Sequence, residues 1–487
     1  MIGSGDAAAL DDARRRFSSR LRPPPTPLIS TVIHLGVLVL WVALFLLVFG
    51  RGGILAWSVG LAYLAYEAAL LIFTGWHIRR FVTAPGPAVA GPRPTVAVLI
   101  AAHNEAKVLF ATLRAITAQS DPPEEIVIAD DGSTDSTAAV LCAEFGFTPR
   151  QLGQAAPPAH DGTVTITWLR LPHGGKARAL NTALLQTGAD IVITVDADTL
   201  LDTEAIAVVR AAFARETELV GITGVITPES PRSMAGRVMQ FFQTYEYIRN
   251  FLGRYAWMRV ECLQLISGAF AGFRRTAVVQ VGGFDDACLV EDYEIVHRLY
   301  RYAGDHNAPC RFRVLGAAQA RTEAPGSIPA LLRQRRRWFG GFLQTQWWYR
   351  AMMGNSRMGR MGTLMLPVKA IDAFQPLYGL TALVLAVYLL IVADAGTRGT
   401  LAVILGATLV INAAFQVWAV RQYRRWVGDP KRANLAGACF ASVLEPFTFR
   451  VLLHLGAVLG WIAFLAGAQH WGRSERFGID GSPAEAP

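Results

Sequence analysis

The stretch Asp190-Ile191-Val192-Ile193-Thr194-Val195-Asp196-Ala197-Asp198 is an apolar, β-branched run that ends abruptly in two carboxylates. Nearly continuous apolar character over 190–195 predicts a strand covered on both faces, the pattern of a parallel sheet. Asp196 and Asp198 stand two residues apart, so an extended backbone turns both to one side. Two hard oxygen ligands at a strand end suit Mg²⁺ or Mn²⁺, with phosphate oxygens and water completing the shell. Without a cation the pair would repel each other and any diphosphate. Capping of a helix near 203 explains one Asp but not two.

Outward from this stretch the pattern repeats. ThrValAlaValLeuIleAla (95–101), GluIleValIleAla (125–129) and residues 164–170 read as strands, with helices over 105–119, 135–145 and 176–187. Such alternation predicts an α/β domain with a mostly parallel sheet between helical layers. Ligands of these sheets bind beyond the carboxyl ends of the strands. The first strand runs into Ala102-His103-Asn104-Glu105 and the second into Asp130-Asp131-Gly132-Ser133-Thr134-Asp135. Both turns can hold a nucleoside, a carboxylate accepting from a base N–H or a ribose hydroxyl. The same residue types also cap helices. In His173-Gly174-Gly175-Lys176 the glycines let backbone approach a ligand and Lys176 can reach phosphates; a plain turn with a surface lysine fits the pattern as well.

The 487 residues are 52% hydrophobic and only 17% charged, against about a quarter charged in ordinary soluble domains. The excess lies at the ends. Residues 28–50 and 53–76 are of spanning length and separated by little more than Arg51-Gly52; apolar runs return at 372–393 and 400–420. Residues 435–470 are apolar but broken at Glu445-Pro446, giving either one span preceded by a re-entrant helix or two short spans. The net charge is +9, and much of it flanks these runs: Arg14, Arg15, Arg16, Arg20 and Arg22, then Arg79 and Arg80, then Arg421, Arg424, Arg425, Lys431 and Arg432. That placement puts those flanks on the cytoplasmic side. No aromatic-interleaved basic module or zinc motif is present, which argues against a nucleic-acid partner. Five cysteines without a CxxC pair suggest reduced thiols. The expected organisation is a polar segment (1–27, disordered or interfacial), a two-helix transmembrane hairpin (28–76), a cytoplasmic domain (77–324) entered through a proline-stiffened linker at 81–94, amphipathic interface helices (325–371), and a C-terminal region of three or four spans with a short tail (372–487).

Two further clusters carry chemistry. Glu291-Asp292 opens a helix after Val281-Gly282-Gly283-Phe284-Asp285. A carboxylate there can take a proton from an attacking hydroxyl, and acids at a helix start are also favoured by its dipole. In Gln334-Arg335-Arg336-Arg337-Trp338, residues 334, 337 and 338 share a helix face, joining an amide, a guanidinium and an indole. Arg suits a diphosphate and Trp a sugar ring, while a basic interfacial helix accounts equally for Arg333, Arg335 and Arg336.

In order, Asp-Asp-Gly-Ser, Gly-Lys-Ala…Leu-Asn, Asp-Ala-Asp, Glu-Asp and Gln-Arg-Arg-Arg-Trp resemble the family 2 membrane glycosyltransferases, the group of cellulose, chitin, hyaluronan and poly-N-acetylglucosamine synthases. The resemblance covers about residues 95–350, and Gln-x-x-Arg-Trp is its most specific element. It implies a GT-A-type fold for nucleotide-diphospho-sugars, embedded through flanking helices in the inner (cytoplasmic) membrane. The implied reaction is polymerisation of a UDP-sugar, UDP-GlcNAc or UDP-glucose, into a β-linked glycan that is inverted at the anomeric carbon and exported through the chain's own spans. It implies that Ala102, His103, Asn104, Glu105, Asp130 and Asp131 surround the uridine and that Lys176 lies at the pyrophosphate. Asp198 binds Mg²⁺ or Mn²⁺, with Asp196 holding the ribose or assisting the metal. Asp292, beside Glu291, is the base; Gln334, Arg337 and Trp338 meet the diphosphate and the acceptor glycan. The chain departs from the pattern at His103, where many members carry Tyr, and at Val290, where Thr is usual. No cyclic-di-GMP-binding domain is expected after the last span, which turns the reading from bacterial cellulose synthases towards compact synthases of N-acetylglucosamine-containing and other β-glycans. The rival readings are transfer of one sugar to a lipid carrier and a non-catalytic membrane receptor or scaffold.

Overall fold

This computed structural model describes residues 4–50, 52–81, 93–148, 150–429 and 433–467. The expectations for the linker at 82–92, for Arg51, Lys431 and Arg432, and for the tail at 471–487 lie outside the described residues.

The strands in chain order are β1 (Val96–Ala102), β2 (Glu125–Asp131), β3 (Gln154–Ala155), β4 (Ala159–Asp161), β5 (Val164–Leu171), β6 (Ile191–Val195), β7 (Thr199–Leu201), β8 (Leu219–Glu229), β9 (Phe270–Arg274) and β10 (Arg311–Glu323). They form one sheet in the order β3-β5-β2-β1-β6-β9-β8-β10-β7, with β4 on β5. The β5-β2-β1-β6 half is parallel, as the continuous apolar strands require. β9 then runs antiparallel to both β6 and β8. That reversal places residues 267–269, just before β9, beside the end of β6, where Asp196 N–H donates to the Ala269 carbonyl. The central strands are sealed: Val96 to Ile100 and Ile191 to Ile193 have no accessible surface. Their burial is the main stabilising term, on the order of 1.5–3 kcal/mol per large side chain.

The helices are α1 (Ser4–Phe17), α2 (Leu28–Gly50), α3 (Ser58–Ile78), α4 (Leu109–Thr117), α5 (Thr137–Phe145), α6 (Lys176–Leu184), α7 (Ala205–Arg215), α8 (Met234–Arg259), α9 (Arg275–Gln280), α10 (Glu291–His306), α11 (Ile328–Trp348), α12 (Leu366–Val392), α13 (Ala395–Val427), α14 (Leu435–Leu444) and α15 (Phe449–Leu465). Among the described residues, four helices are long and apolar enough to cross a membrane: 28–50, 53–78, 361–392 and 395–427. α14 and α15 bend by 49° at Glu445–Phe447, where the sequence breaks. α15 runs antiparallel to α12, since His454 meets Gly379 and the Trp461 indole donates to the Ala373 carbonyl at 2.8 Å. It packs on α11 through Gly456 and Gly460, the small-residue spacing that lets helix backbones approach.

The N-terminal segment differs from the expectation of a disordered or interfacial stretch. α1 lies on the α/β domain, with Leu10, Ser18 and Ser19 buried. Its charges meet partners that no local pattern could announce.

Candidate active site

Four strand ends and two helix starts converge at the carboxyl edge of the sheet. β1 and β2 are in parallel register, Ala102 opposite Asp130, so their two turns lie side by side. Asn104 ties them: its side-chain oxygen accepts from the Thr134 and Asp135 amides at 2.8 and 3.2 Å, and its own N–H donates to Ser133 Oγ at 3.0 Å. Asn104 sits at φ +60°, a conformation Asn tolerates better than most residues. Ala102 and Glu105 are buried beneath. Glu105 supplies a backbone carbonyl to the turn entering α4, and its amide donates to Thr137 Oγ1.

The two aspartates of the second turn divide. Asp130 Oδ1 accepts from the Ser133 amide at 2.8 Å, while its buried Oδ2 has no hydrogen bond and only the Arg170 guanidinium, 4.0 Å away, as a charge partner. A desolvated, unsatisfied carboxylate oxygen calls for a donor, and a nucleobase N–H is one. Asp131 instead fastens the next loop: its two oxygens accept from the Gly174 and Gly175 amides at 2.7 and 2.8 Å. Gly132, at φ +69°, permits this closeness, since a Cβ there would lie 2.8 Å from the His173 nitrogen. The His103 and His173 rings meet at a tilt of 32° over this loop, centroids 4.4 Å apart. Among the described residues, His103, Asp131 and His173 form a three-residue group with ligand atoms within 4.8 Å of one another.

Lys176 begins α6 and reaches across the sheet. Its ammonium lies 2.7 Å from Asp196 Oδ1 and 3.0 Å from Glu291 Oε1. Burial works against this cation, but Asp196 and Glu291 outweigh it and hold its pKa above the ordinary lysine range. Asp198 is buried, and its Oδ1 accepts from Thr322 Oγ1 at 3.2 Å. The carboxylate pair seen in the sequence is thus split: Asp196 is bound to Lys176, Asp198 sits under β10.

Asp292 Oδ2 accepts from the Gly268 amide at 2.7 Å and Oδ1 from the Tyr293 amide at 2.9 Å. Burial first, then the neighbouring Glu291 charge, lift its pKa to about 6, against the pull of Lys176, the Gly268 amide and Arg337. That range suits a proton acceptor at neutral pH. From α11, Arg337 reaches the Leu289 carbonyl at 3.5 Å, and the Trp338 ring packs beside Cys288, Val290 and Tyr293. Gln334 Oε1 is buried without a partner. Arg335 turns away from this cluster to a buried pair with Glu246 at 2.8 Å, its guanidinium 4.5 Å from the Trp338 ring. Sequence reasoning misses Arg254 of α8, a half-buried side chain whose Nη1 has no hydrogen-bond partner and whose cation feels the Asp292 charge. Burial lowers its pKa to about 10. Nothing in the spacing of α8 points to it; only the packing of α8 behind the site does.

Asp198 is a buried carboxylate of the hard-oxygen type that suits Mg²⁺ or Mn²⁺, and Asp196 beside it is already charge-paired with Lys176. The His103–Asp131–His173 group offers softer nitrogen ligands, and its carboxylate is engaged with backbone.

A mostly parallel sheet with carboxylates and a lysine that bridges two acids at its carboxyl edge is the arrangement of a GT-A-type glycosyltransferase fold. Residues 97–282 match Glycosyl transferase family 2, and residues 191–415 match Glycosyl transferase family group 2. Residues 97–415 thus carry glycosyltransferase family 2 sequence, and the protein is a glycosyltransferase. Over 250 residues it is 28% identical to poly-β-1,6-N-acetyl-D-glucosamine synthase of Staphylococcus aureus (strain COL), covering 50% of this chain and 53% of that one. The corresponding synthase of Staphylococcus epidermidis is 26% identical over 253 residues, covering 50% and 54%. The chain thus spans about half the length of the curated relatives it matches. A solved structure, the mannosyltransferase PcManGT from Pyrobaculum calidifontis in complex with GDP-Man and Mn²⁺, superposes with a TM-score of 0.52 at 19% identity, over 81% of this chain and 99% of that one. That likeness shows the shared fold.

Proposed function

We propose that this chain polymerises a UDP-sugar, UDP-GlcNAc or UDP-glucose, into a β-linked polysaccharide at the cytoplasmic face of the inner membrane and passes the polymer between its own spans. The observation that carries this reading is a cavity that shares Trp338 with the acid site. The cavity, of about 430 Å³, opens between α3, α8, α11, α12 and α15. Its lining combines ring faces (Trp338, Phe342) with polar groups (Glu67, Gln375, Arg450), the surface a hydrated sugar chain requires. The polar groups hold one another: Gln375 donates to Glu67 at 2.6 Å, and Arg450 pairs with Glu67 at 3.0 Å.

In the proposed reaction, Asp130 accepts the uracil N–H and the His103–His173 pair flanks the base. Asp292 takes the proton of the acceptor hydroxyl. That oxygen attacks the anomeric carbon from the side opposite the diphosphate, the bond to the diphosphate breaks, and UDP leaves with the electron pair. Arg337 and Lys176 meet the developing negative charge. A divalent ion, Mg²⁺ or Mn²⁺, held by Asp198 would supply further charge neutralisation at the leaving group. Trp338 seats the terminal sugar of the glycan.

The test is a donor screen on membranes containing the full chain, adding each UDP-sugar with Mg²⁺ or Mn²⁺ and measuring released UDP and product mass. A polymer from one UDP-sugar is the expected outcome. A single-sugar lipid as sole product would overturn the polymerase reading, and no UDP release with any donor would overturn transfer itself.

A further inference from the structure

The turn Val281–Asp285 lies between α9 and the two acids Glu291 and Asp292, and it is gripped from both sides. On one side Asn181 of α6 clamps Phe284, donating to its carbonyl at 2.8 Å and accepting from its amide at 2.7 Å. On the other side lies the N-terminal segment. Arg14 donates to the same Phe284 carbonyl at 2.9 Å. Arg20 makes a two-pronged pair with Asp285, Nε to Oδ2 at 2.9 Å and Nη2 to Oδ1 at 2.8 Å. Asp285 has no accessible surface, so this guanidinium is what lets a charged carboxylate stay there. Contact is close enough that Gly282 (φ +89°) has no room for a side chain: a Cβ would lie 2.1 Å from the Arg14 nitrogen.

The same segment touches the two helices that follow. Arg301 of α10 donates to the Phe17 carbonyl at 3.2 Å and to Ser19 Oγ at 2.9 Å. The Phe17 ring meets Tyr302 edge-on at 4.9 Å. Arg20 stands 5.7 Å from the Trp348 ring at the end of α11. Where the segment enters α2, Ser30 donates to the Arg350 carbonyl at 2.7 Å, and Arg350 donates to Thr26 at 3.0 Å. One piece of chain therefore binds the turn before Asp292, the helix that Asp292 opens, and the helix of Arg337 and Trp338, and then continues directly into the first span.

We propose that residues 4–27 form a strap that fixes the acceptor half of the site, with Arg20 as its positioning residue. Arg20 touches no substrate. It sets the Asp285 turn, and through it the distance of Asp292 from the acceptor hydroxyl. The proposal rests on the reading of Asp292 as the base. The donor half, built on β1, β2 and the Lys176 loop, has its own hydrogen bonds and meets the strapped turn through Asn181 of α6.

The experiment compares kcat and donor KM, by UDP release, for full-length variants in membranes. Displacing a catalytic group by about 1 Å costs on the order of 10²-fold. Arg20→Gln is expected to lower kcat roughly 10- to 100-fold with donor KM held within about threefold, and Arg20→Lys to recover most of the loss. Arg20→Gln leaves a buried, unpaired Asp285 and risks misfolding, so the double variant Arg20→Gln/Asp285→Asn removes that charge; it is expected to fold and remain slow. Gly282→Ala, which pushes α1 off the turn, is expected to give the same loss in kcat alone. Parental kcat in either the double variant or Gly282→Ala overturns the strap, as does a KM that rises in step with the fall in kcat. Asp292→Asn, run alongside, separates the two readings: turnover there removes the base assignment, whereas inactivity there with parental kcat in the Arg20 variants removes only the strap.

Discussion

At the scale of single residues, the site is a set of carboxylates given different tasks by their neighbours. Asp130 keeps one oxygen without a hydrogen bond, Asp131 holds a loop, Asp196 is charge-paired with Lys176, and Asp292 sits half-buried beside another acid. Asp292→Asn should lower transfer by about 10²- to 10⁴-fold, the usual contribution of a general base, with UDP affinity unchanged by calorimetry. Unaltered turnover would remove Asp292 from the mechanism. The pH dependence follows from the raised pKa. A base must be ionised, so kcat should fall about tenfold per pH unit below about 6 and be level above it. The sign for stability is opposite: a carboxyl whose pKa rises on folding binds its proton more tightly in the folded state, so this group's contribution weakens as pH rises from 3.8 to about 6. Asp198→Asn should raise the Mg²⁺ or Mn²⁺ concentration giving half-maximal rate, and an unchanged metal requirement would place the ion elsewhere.

At the scale of elements, the α11–α15 seam joins the reaction centre to the membrane helices. A Cβ on Gly460 would lie 2.9 Å from the Gly340 nitrogen and 2.9 Å from the Phe339 Cβ, and backbone cannot yield as a flexible side chain does. Gly460→Ala should therefore destabilise the protein by about 1–3 kcal/mol, seen as a lower unfolding temperature in detergent, while the α/β domain keeps its UDP affinity. Parental thermal stability would show that the seam has slack. The Gln-Arg-Arg-Arg-Trp stretch shows how one helix serves two neighbours: Arg337 and Trp338 face the acid site, and Arg335 faces Glu246 on α8.

For the whole molecule, the fold places the carboxylate cluster at the sheet edge and a cavity with mixed polar and apolar lining among the long apolar helices. Ala457 lines that cavity. Ala457→Trp should shorten the polymer measured by gel filtration while leaving UDP release from the first transfers near parental. Products of parental length would show that the glycan takes another route.

The strand ends were legible in sequence because their physics is local. Continuous apolar runs need a sheet covered on both faces, and carboxylates, glycines and a lysine directly beyond such runs are the groups a phosphate-bearing ligand needs at the sheet edge. The long apolar helices were legible for the same reason, since apolar length is a property of the chain itself. The placement of β9 against β6, which brings Gly268 to Asp292, could not be read, because strand order depends on contacts far apart in the chain. Arg254 behind Asp292 and the docking of residues 4–27 were hidden likewise: a basic, polar stretch looks like solvated or interfacial chain until Asp285 and Phe284 are seen to receive it. The Asp196–Asp198 pair shows both sides. Local sequence determined that two acids stand at a strand end. Only the tertiary structure, by bringing Lys176 across from the start of α6, paired one with a lysine and set the other beside Thr322 of β10.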